Sequence, residues 1–267
     1  MSEDHGTANV LAETRRRAIE QRLRSAGAMT VAEVEATFGV SAMTARRDLS
    51  ELARRGVAER THGGAILPGG QTHEDSFARR LQESMPEKRQ LAEAAVGLLA
   101  EKASLFLDSS TTSYFVAESI AEQRLSLTVL TNSLPIVNRL REYGSSWLEV
   151  ILVGGTLRPL SRSFVGPSAA RTVREHFAEH FFFSVKSVTD QGILTDADPL
   201  EAEVKRLMMG QAGESTLLID SSKGSARGLV AIGSIRDVDH VLTVGFSAAQ
   251  LEALRALNPN VVEAGTG

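Results

Sequence analysis

VSAMTARRDLSELARRGVAERTHGGA, running from Val40 to Ala65, reads as a helix with exposed arginines, a glycine stop and a short basic hairpin. Ser41 suits a helix N-cap, because its hydroxyl can accept from an otherwise unpaired backbone N–H of the first turn. Ala45, Leu49, Leu52 and Ala53 recur at i, i+4, i+7 and i+8, the stripe a helix turns toward a core. On the same wheel Met43, Arg47, Ser50 and Arg54 point away, with Thr44 and Arg46 on the flanks. Gly56 ends the helix, and VAERTHGGAIL follows as two short strands around a His-Gly-Gly turn.

Toward the N-terminus the pattern continues. Leu11, Ile19 and Leu23 share one helical face, and Gly27 closes that helix. Thr30 and Glu33 make a capping box for a second helix whose Val34 and Phe38 point inward. Gly39 and Val40 form a tight turn into the Ser41 helix. Helix, three-residue turn and helix is the spacing of a helix-turn-helix, and the hairpin is its wing. Base-edge contacts are expected from Met43, Thr44, Arg46 and Arg47, a methionine meeting a thymine methyl and an arginine bridging guanine O6 and N7. Arg54, Arg55, Arg60 and His62 are expected at phosphates, and Ser41 and Gly63 complete the DNA-contacting set. The blander reading of these arginines is a solvated face with Arg47–Glu51 and Glu51–Arg55 pairs at i,i+4. Capping box, turn, stripe and glycine-bent hairpin occurring together favour the groove.

The net charge of −4 taken alone argues against nucleic acid. Its distribution does not. Residues 11–67 hold ten Arg against seven acids, whereas residues 68–267 hold 19 basic and 24 acidic side chains. Screening limits the reach of a charge to roughly 8–10 Å, so the local excess governs groove binding. With no cysteine the chain has no disulfide and no thiolate metal site, which suits a reducing cytoplasm. The opening MSEDHGTANVLAETRRR is acidic and lacks the apolar run of a signal peptide, and no stretch approaches the about 20 apolar residues of a membrane span. A cytoplasmic location and no membrane partner are expected.

Past the joint LPGGQTHEDS, apolar β-type runs at 104–108, 127–133, 149–155, 180–185, 215–220 and 240–245 alternate with helical patterns at 86–101, 112–123, 134–143, 168–178, 199–212 and 248–257. Such alternation implies an α/β domain with a mostly parallel sheet covered on both faces. The expected organisation is a winged helix-turn-helix at 11–67, a linker at 68–85 and a sensing and oligomerisation domain at 86–267.

VSAMTARRDLSELARRGVAERTHGGA, LDSSTT, LTNS, VGGTLR, EAEVKR and IDSSK together closely resemble the DeoR family of bacterial transcriptional regulators, from about residue 11 to 245. The resemblance implies a winged helix-turn-helix followed by a sugar-phosphate-sensing domain with a fold related to ribose-5-phosphate isomerase. It also implies a double-stranded operator bound by a homo-oligomer, a dimer or tetramer, and a phosphorylated sugar effector; no cofactor or metal is expected. Two positions depart from it: Ala45, where a larger aliphatic residue is commoner, and Val188, near which many members carry an Asp-Gly pair.

Ligands of open α/β sheets bind outside the carboxyl ends of the strands. In LFLDSSTTSYF, Asp108 ends a strand and Ser109, Ser110, Thr111 and Thr112 open a helix, whose unpaired N–H groups and hydroxyls suit a phosphate. A plain helix cap explains one hydroxyl, not four. Thr131, Asn132 and Ser133, then Gly154 and Gly155, then Asp220 and Lys223 end further strands, and Lys223 is either a phosphate partner or an ordinary surface lysine. In the helix from Pro199, Asp198 and Glu201 are read as the cap, and Leu200, Val204, Leu207 and Met208 as the buried stripe. Glu203 borders that stripe and is expected to meet a sugar hydroxyl or Lys186, or to make a structural salt bridge. The leading function is a repressor of carbohydrate genes controlled by a phosphorylated sugar. The alternatives are a sugar-phosphate isomerase with an appended DNA-binding head, using Glu203 as base, and a winged helix that contacts only protein.

Overall fold

A computed structural model of the chain describes residues 3–26, 28–60, 63–66, 75–142, 147–224 and 228–265. Two compact units divide it, Met1–Arg79 and Arg80–Gly267. The first holds α1 (Glu3–Ala26), β1 (Ala28–Thr30), α2 (Val31–Phe38), α3 (Ala42–Arg54), β2 (Glu59–Arg60) and β3 (Gly64–Ile66). The strands form an antiparallel sheet in the order β1-β3-β2. Ile19 and Leu23 from α1, Val34 from α2, and Ala45, Leu49 and Leu52 from α3 make its core, as the spacing predicts. The capping box of Thr30 and Glu33 is present, and Gly39 closes α2 in the left-handed region at φ 62°.

The stretch read as a linker is not all irregular. It contains α4 (Phe77–Gln82), and α5 (Met85–Val96) begins within it. The body then runs β4 (Ser104–Leu107), α6 (Thr111–Gln123), β5 (Leu127–Thr131), α7 (Leu134–Glu142), β6 (Leu148–Leu152), a hairpin of β7 (Thr156–Arg158) and β8 (Ser163–Val165), α8 (Pro167–Arg174) and β9 (Ala178–Phe183). After these come β10 (Ser187–Val188), β11 (Ile193–Asp196), α9 (Pro199–Gln211), β12 (Ala212–Asp220), β13 (Val230–Ser234), β14 (His240–Val244), α10 (Ala248–Leu257) and β15 (Val261–Glu263). Seven strands pair in parallel in the order β15-β14-β12-β9-β4-β5-β6.

Strand alternation sends side chains to both faces. Leu105, Leu107, Val129 and Phe182 join α5, α6 and α7 residues such as Leu91, Val116 and Ile136 on one face. Phe106, Phe181, Phe183 and Ile219 join Val173, Val204, Met208 and Leu251 of α8, α9 and α10 on the other. Each fully buried phenylalanine contributes roughly 1.5–3 kcal/mol. The chain order reverses between β4 and β9, which places a topological switch point there. The antiparallel β10-β11-β13 sheet and the β7–β8 hairpin carry no expectation from the sequence; β7, β8 and β10 have only two or three residues, too few for a periodic signal.

Candidate nucleic-acid interface and sheet-edge crevice

Ser41 caps α3 by accepting from Thr44 N at 3.4 Å. With Ala45, Leu49 and Leu52 turned into the core, Met43 is 77% exposed and Arg46 and Arg47 are exposed beside it. Thr44 is half-buried. What fixes this helix is a residue the periodicity did not single out. Asp48 is buried and holds Arg15 Nε at 2.6 Å and Arg16 Nε at 2.9 Å, both from α1. Farther along α3, Glu51 accepts from Arg54 at 2.9 and 2.7 Å and from Arg55 at 2.9 Å, and these bonds hold its carboxyl down at about 2. Arg55 also grips Glu13 at 2.7 and 3.0 Å. Its guanidinium is therefore committed within the head, whereas Arg54 keeps 74% of its side chain exposed.

In the wing, Gly63 O accepts from Val31 N at 2.8 Å. A Cβ on Gly64 would lie 2.1 Å from Met29 O, so only glycine allows β3 to approach β1. Arg60 donates to the Gly64 carbonyl, which holds its guanidinium along the hairpin. His62 lies outside the described residues.

In the body, the strand ends meet as the parallel topology requires, but several side chains expected to face a ligand are tied inward. Asp108 is buried and accepts from Ser110 N at 3.1 Å, Ser113 Oγ at 2.5 Å and Ser184 N at 3.2 Å, bridging β4 to β9. Ser110 caps α6, and Ser109, Thr111 and Thr112 are buried with it. Thr131 Oγ1 accepts from Ser133 N, and Ser133 Oγ from Ile136 N. Asn132 donates to Phe164 O at 3.0 Å while its buried Oδ1 has no hydrogen-bond partner. A Cβ on Gly155 would stand 2.6 Å from Val165 O, so the close approach expected there is to the β7–β8 hairpin; Gly154 faces open space.

The reading of α9 needs correction. Leu200 is 42% exposed, and Asp198 alone caps the helix, accepting from Leu200 N and Glu201 N. Glu203 leans outward, 41% exposed and 3.9 Å from Arg174. The buried face instead carries Glu201, Ala202, Val204, Lys205 and Met208. Glu201 accepts from Ser109 at 2.8 Å, Ser161 at 2.7 Å, Ser163 and, at 3.4 Å, Arg158. Lys205 joins Asp108 at 3.1 Å and Asp196 at 2.7 Å and donates to Ser184 O. Burial opposes both charges of the Lys205–Asp196 pair. Their mutual attraction outweighs it, holding the lysine above and the aspartate below their ordinary ranges.

Cations gather at the β12 end of this edge. Lys223 is half-buried, pushed down by burial against the pull of Asp220, with Arg80, Lys186 and Lys205 also in electrostatic range. Lys88, unmarked in the sequence reading, is buried and donates to the carbonyls of Arg80 and Glu83 at 2.5 Å each. Burial lowers it to about 8, with Lys223 adding to the effect. Asp220 accepts from Ser222 N, and its buried Oδ2 has no hydrogen-bond partner.

Among the described residues no group of His, Cys, Asp and Glu could hold a metal ion, and no helix is long and apolar enough to cross a membrane. The DeoR-like helix-turn-helix domain matches residues 15–70, and the DeoR C terminal sensor domain matches residues 83–244. The chain belongs to the DeoR family. Its relatives include the transcriptional repressor AccR of Agrobacterium fabrum, 32% identical over 84% of this chain and 86% of that one. The HTH-type transcriptional regulator GlpR of Haloferax volcanii is also 32% identical, over 94% and 97%. The lactose phosphotransferase system repressor of Staphylococcus epidermidis is 33% identical, over 84% and 89%. Among solved structures, ribose 5-phosphate isomerase A of Methanocaldococcus jannaschii aligns with a TM-score of 0.38 at 15% identity, over 53% of this chain and 55% of that one. This DeoR-family chain is thus a DNA-binding transcriptional regulator with a sensor domain.

Proposed function

We propose that this regulator is a cytoplasmic repressor of carbohydrate genes, bound to its operator as a homo-oligomer and released by a phosphorylated sugar. One observation carries a phosphorylated effector: half-buried Lys223 follows the end of β12 with Arg80, Lys186 and Lys88 in electrostatic range against Asp220 and Glu83, while Lys205 is already paired with Asp108 and Asp196. Such an excess of cations at the carboxyl edge of a parallel sheet draws an anion. The N–H groups opening α6 at Thr111 and Thr112 add to the same edge. Relatives named for lactose and L-fucose systems, the latter an operon activator in Escherichia coli, support a sugar as the body of the ligand.

At the head, Met43, Thr44, Arg46 and Arg47 take the base edges, and Ser41, Arg54, Arg60, His62 and Gly63 the phosphate backbone. Arg55 belongs to the internal pairs. The chain acts as a binder rather than an isomerase, a reading supported by relatives that are transcriptional regulators and by the outward lean of Glu203, the expected base. Selection of an operator from random duplexes, then gel shifts with a panel of sugar phosphates, tests the whole. Arg47→Ala should weaken operator binding at least about tenfold, the scale of one bidentate base contact. Lys223→Met should bind the operator yet resist release. Undiminished binding by Arg47→Ala would sink the head assignment, and unimpaired release of Lys223→Met the anion site.

A further inference from the structure

A buried carboxylate usually meets a cation at close range, because the lost hydration of the charge has to be offset. Asp48 follows that pattern with two guanidinium groups at 2.6 and 2.9 Å. Glu201, equally buried, follows it only loosely. Among the described residues its one ion pair is with Arg158 at 3.4 Å, and the shorter contacts are alcohols: Ser161 at 2.7 Å, Ser109 at 2.8 Å, and Ser163. Three neutral hydroxyls thus occupy most of the acceptor sites that a carboxylate offers.

Two of these alcohols come from the β7–β8 hairpin, whose strands have three residues each. Its turn exposes Pro159 and Arg162, the latter at φ 54°. A two-stranded ribbon of this length has little stability of its own. Val165 anchors one end of it in the hydrophobic core, while the turn end is held by polar contacts: the Glu201 bonds, Asn132 to Phe164, and Leu134 N to Arg162 O at 3.0 Å. Glu201 meets Ser109 and Lys205 meets Asp108 at the carboxyl end of β4, Lys223 follows the carboxyl end of β12, and both strands flank β9, so the carboxylate and the cations belong to one sheet edge.

We infer that Glu201 reads ligand hydroxyls in this crevice, and that Ser161 and Ser163 exchange places on it with two hydroxyls of a polyol phosphate; this rests on the sugar-phosphate reading above. Exchanging one alcohol donor for another keeps the carboxylate satisfied at every stage, so a ligand need not strip a bare charge of its partners. The phosphate lies toward Lys223 and the polyol toward Glu201. Each hydroxyl that replaces a serine loosens the hairpin from α9.

Thermal-shift titrations of the full chain, comparing inorganic phosphate with a panel of pentose and hexose phosphates, test this. The wild-type chain should prefer its best sugar phosphate over inorganic phosphate. In E201Q that preference should fall about tenfold, the scale of one charge-assisted hydrogen bond. In the S161A/S163A double variant it should rise, by about three- to tenfold, because the competing donors are gone. A preference that stays level or falls in S161A/S163A overturns the exchange while leaving the effector reading standing. If no sugar phosphate surpasses inorganic phosphate on the wild-type chain, the sugar reading falls and the exchange with it. Should E201Q fail to fold, the serine variant decides alone.

Discussion

Asp48 in the head and Glu201 in the body are both nearly inaccessible carboxylates on helices, 1% and 3% exposed, yet they are satisfied in opposite ways. Asp48 is locked between two arginines of a neighbouring helix. Glu201 collects serine hydroxyls and holds its arginine at a longer distance. Two close ion pairs fix a helix in one place, which suits a surface that must fit a groove. Neutral hydroxyl donors hold a carboxylate with bonds that another alcohol can take over. The contrast assigns rigidity to the element that reads DNA and exchangeability to the one that meets a ligand.

The strongest way to break this comparison is Asp48→Ala. It takes from Arg15 and Arg16, only 20% and 13% exposed, the carboxylate they share, and leaves Arg16 with Glu13 at 3.5 Å. Removing one member of a buried pair costs about 3 kcal/mol or more. Denaturant unfolding followed by a probe in the head should show that loss, and operator binding should disappear with it. A head as stable as the wild type would mean that the clamp is idle.

Lys205→Met should cost the body a similar amount, about 3 kcal/mol, because Asp108 and Asp196 are left facing each other in a dry site. Its pH signature is sharper. In the wild type Lys205 overcomes burial and holds Asp196 below its ordinary range. That contribution is present above the unfolded value of about 3.9 and is lost as pH falls through the lower folded value. Without the ammonium, burial and the facing Asp108 are opposed only by the Ala197 N–H and the more distant Arg80, so the carboxyl shifts upward and the folded state takes up protons more readily than the unfolded one. Lys205→Met should therefore gain stability from pH 7 to pH 5, where the wild type does not. Parallel thermal melts at the two pH values check the sign.

Both residues also show where hydrophobic periodicity misleads. In α3 the apolar stripe Ala45, Leu49, Leu52 was legible, and so were the cap at Ser41 and the outward Met43, Arg46 and Arg47. Asp48 sits within that stripe, and a scan for apolar residues passes over it. In α9 the same scan took Leu200 for the buried face and moved attention to Glu203, one phase away from Glu201 and Lys205. An acid and a base four residues apart, flanked by Ala202, Val204 and Met208, were the available signal for an inward charged pair. Six of the seven parallel strands were legible because each is an apolar run between helical patterns; β15, with three residues, was not. The hairpin bearing Ser161 and Ser163 was not, because three-residue strands leave no pattern and their partner on α9 is far away in sequence.

A milder test is the stability of Glu201→Gln. Glutamine keeps one acceptor oxygen, and the serines can reorient their hydroxyls toward it. The loss should be about 1 kcal/mol, the net worth of an ordinary hydrogen bond. Unfolding midpoints of this variant and of Asp48→Ala, measured side by side, put a ratio on the comparison. A loss as large for Glu201→Gln would make it as fixed as Asp48 and remove the distinction.

The smallest effect is expected at Arg55. Its side chain is 36% exposed and joins Glu13 and Glu51, themselves 37% and 22% exposed. Ion pairs in contact with water gain little beyond what hydration already supplies, and salt screens them further. Arg55→Ala should therefore leave the unfolding midpoint nearly in place. Its DNA phenotype carries more information. A guanidinium already neutralised by two carboxylates releases no counterion when the head meets a phosphate, so the slope of log K against log salt should not change. Arg54, which shares its partner Glu51 with Arg55 and keeps 74% of its side chain exposed, should lower that slope by up to about 0.9 on replacement by alanine. An equal drop for Arg55→Ala would show that it lets go of Glu13 and Glu51 on the operator. The acid–base pairs along the α3 surface would then be as exchangeable as the serines on Glu201, and only Asp48 would remain as the fixed point of the head.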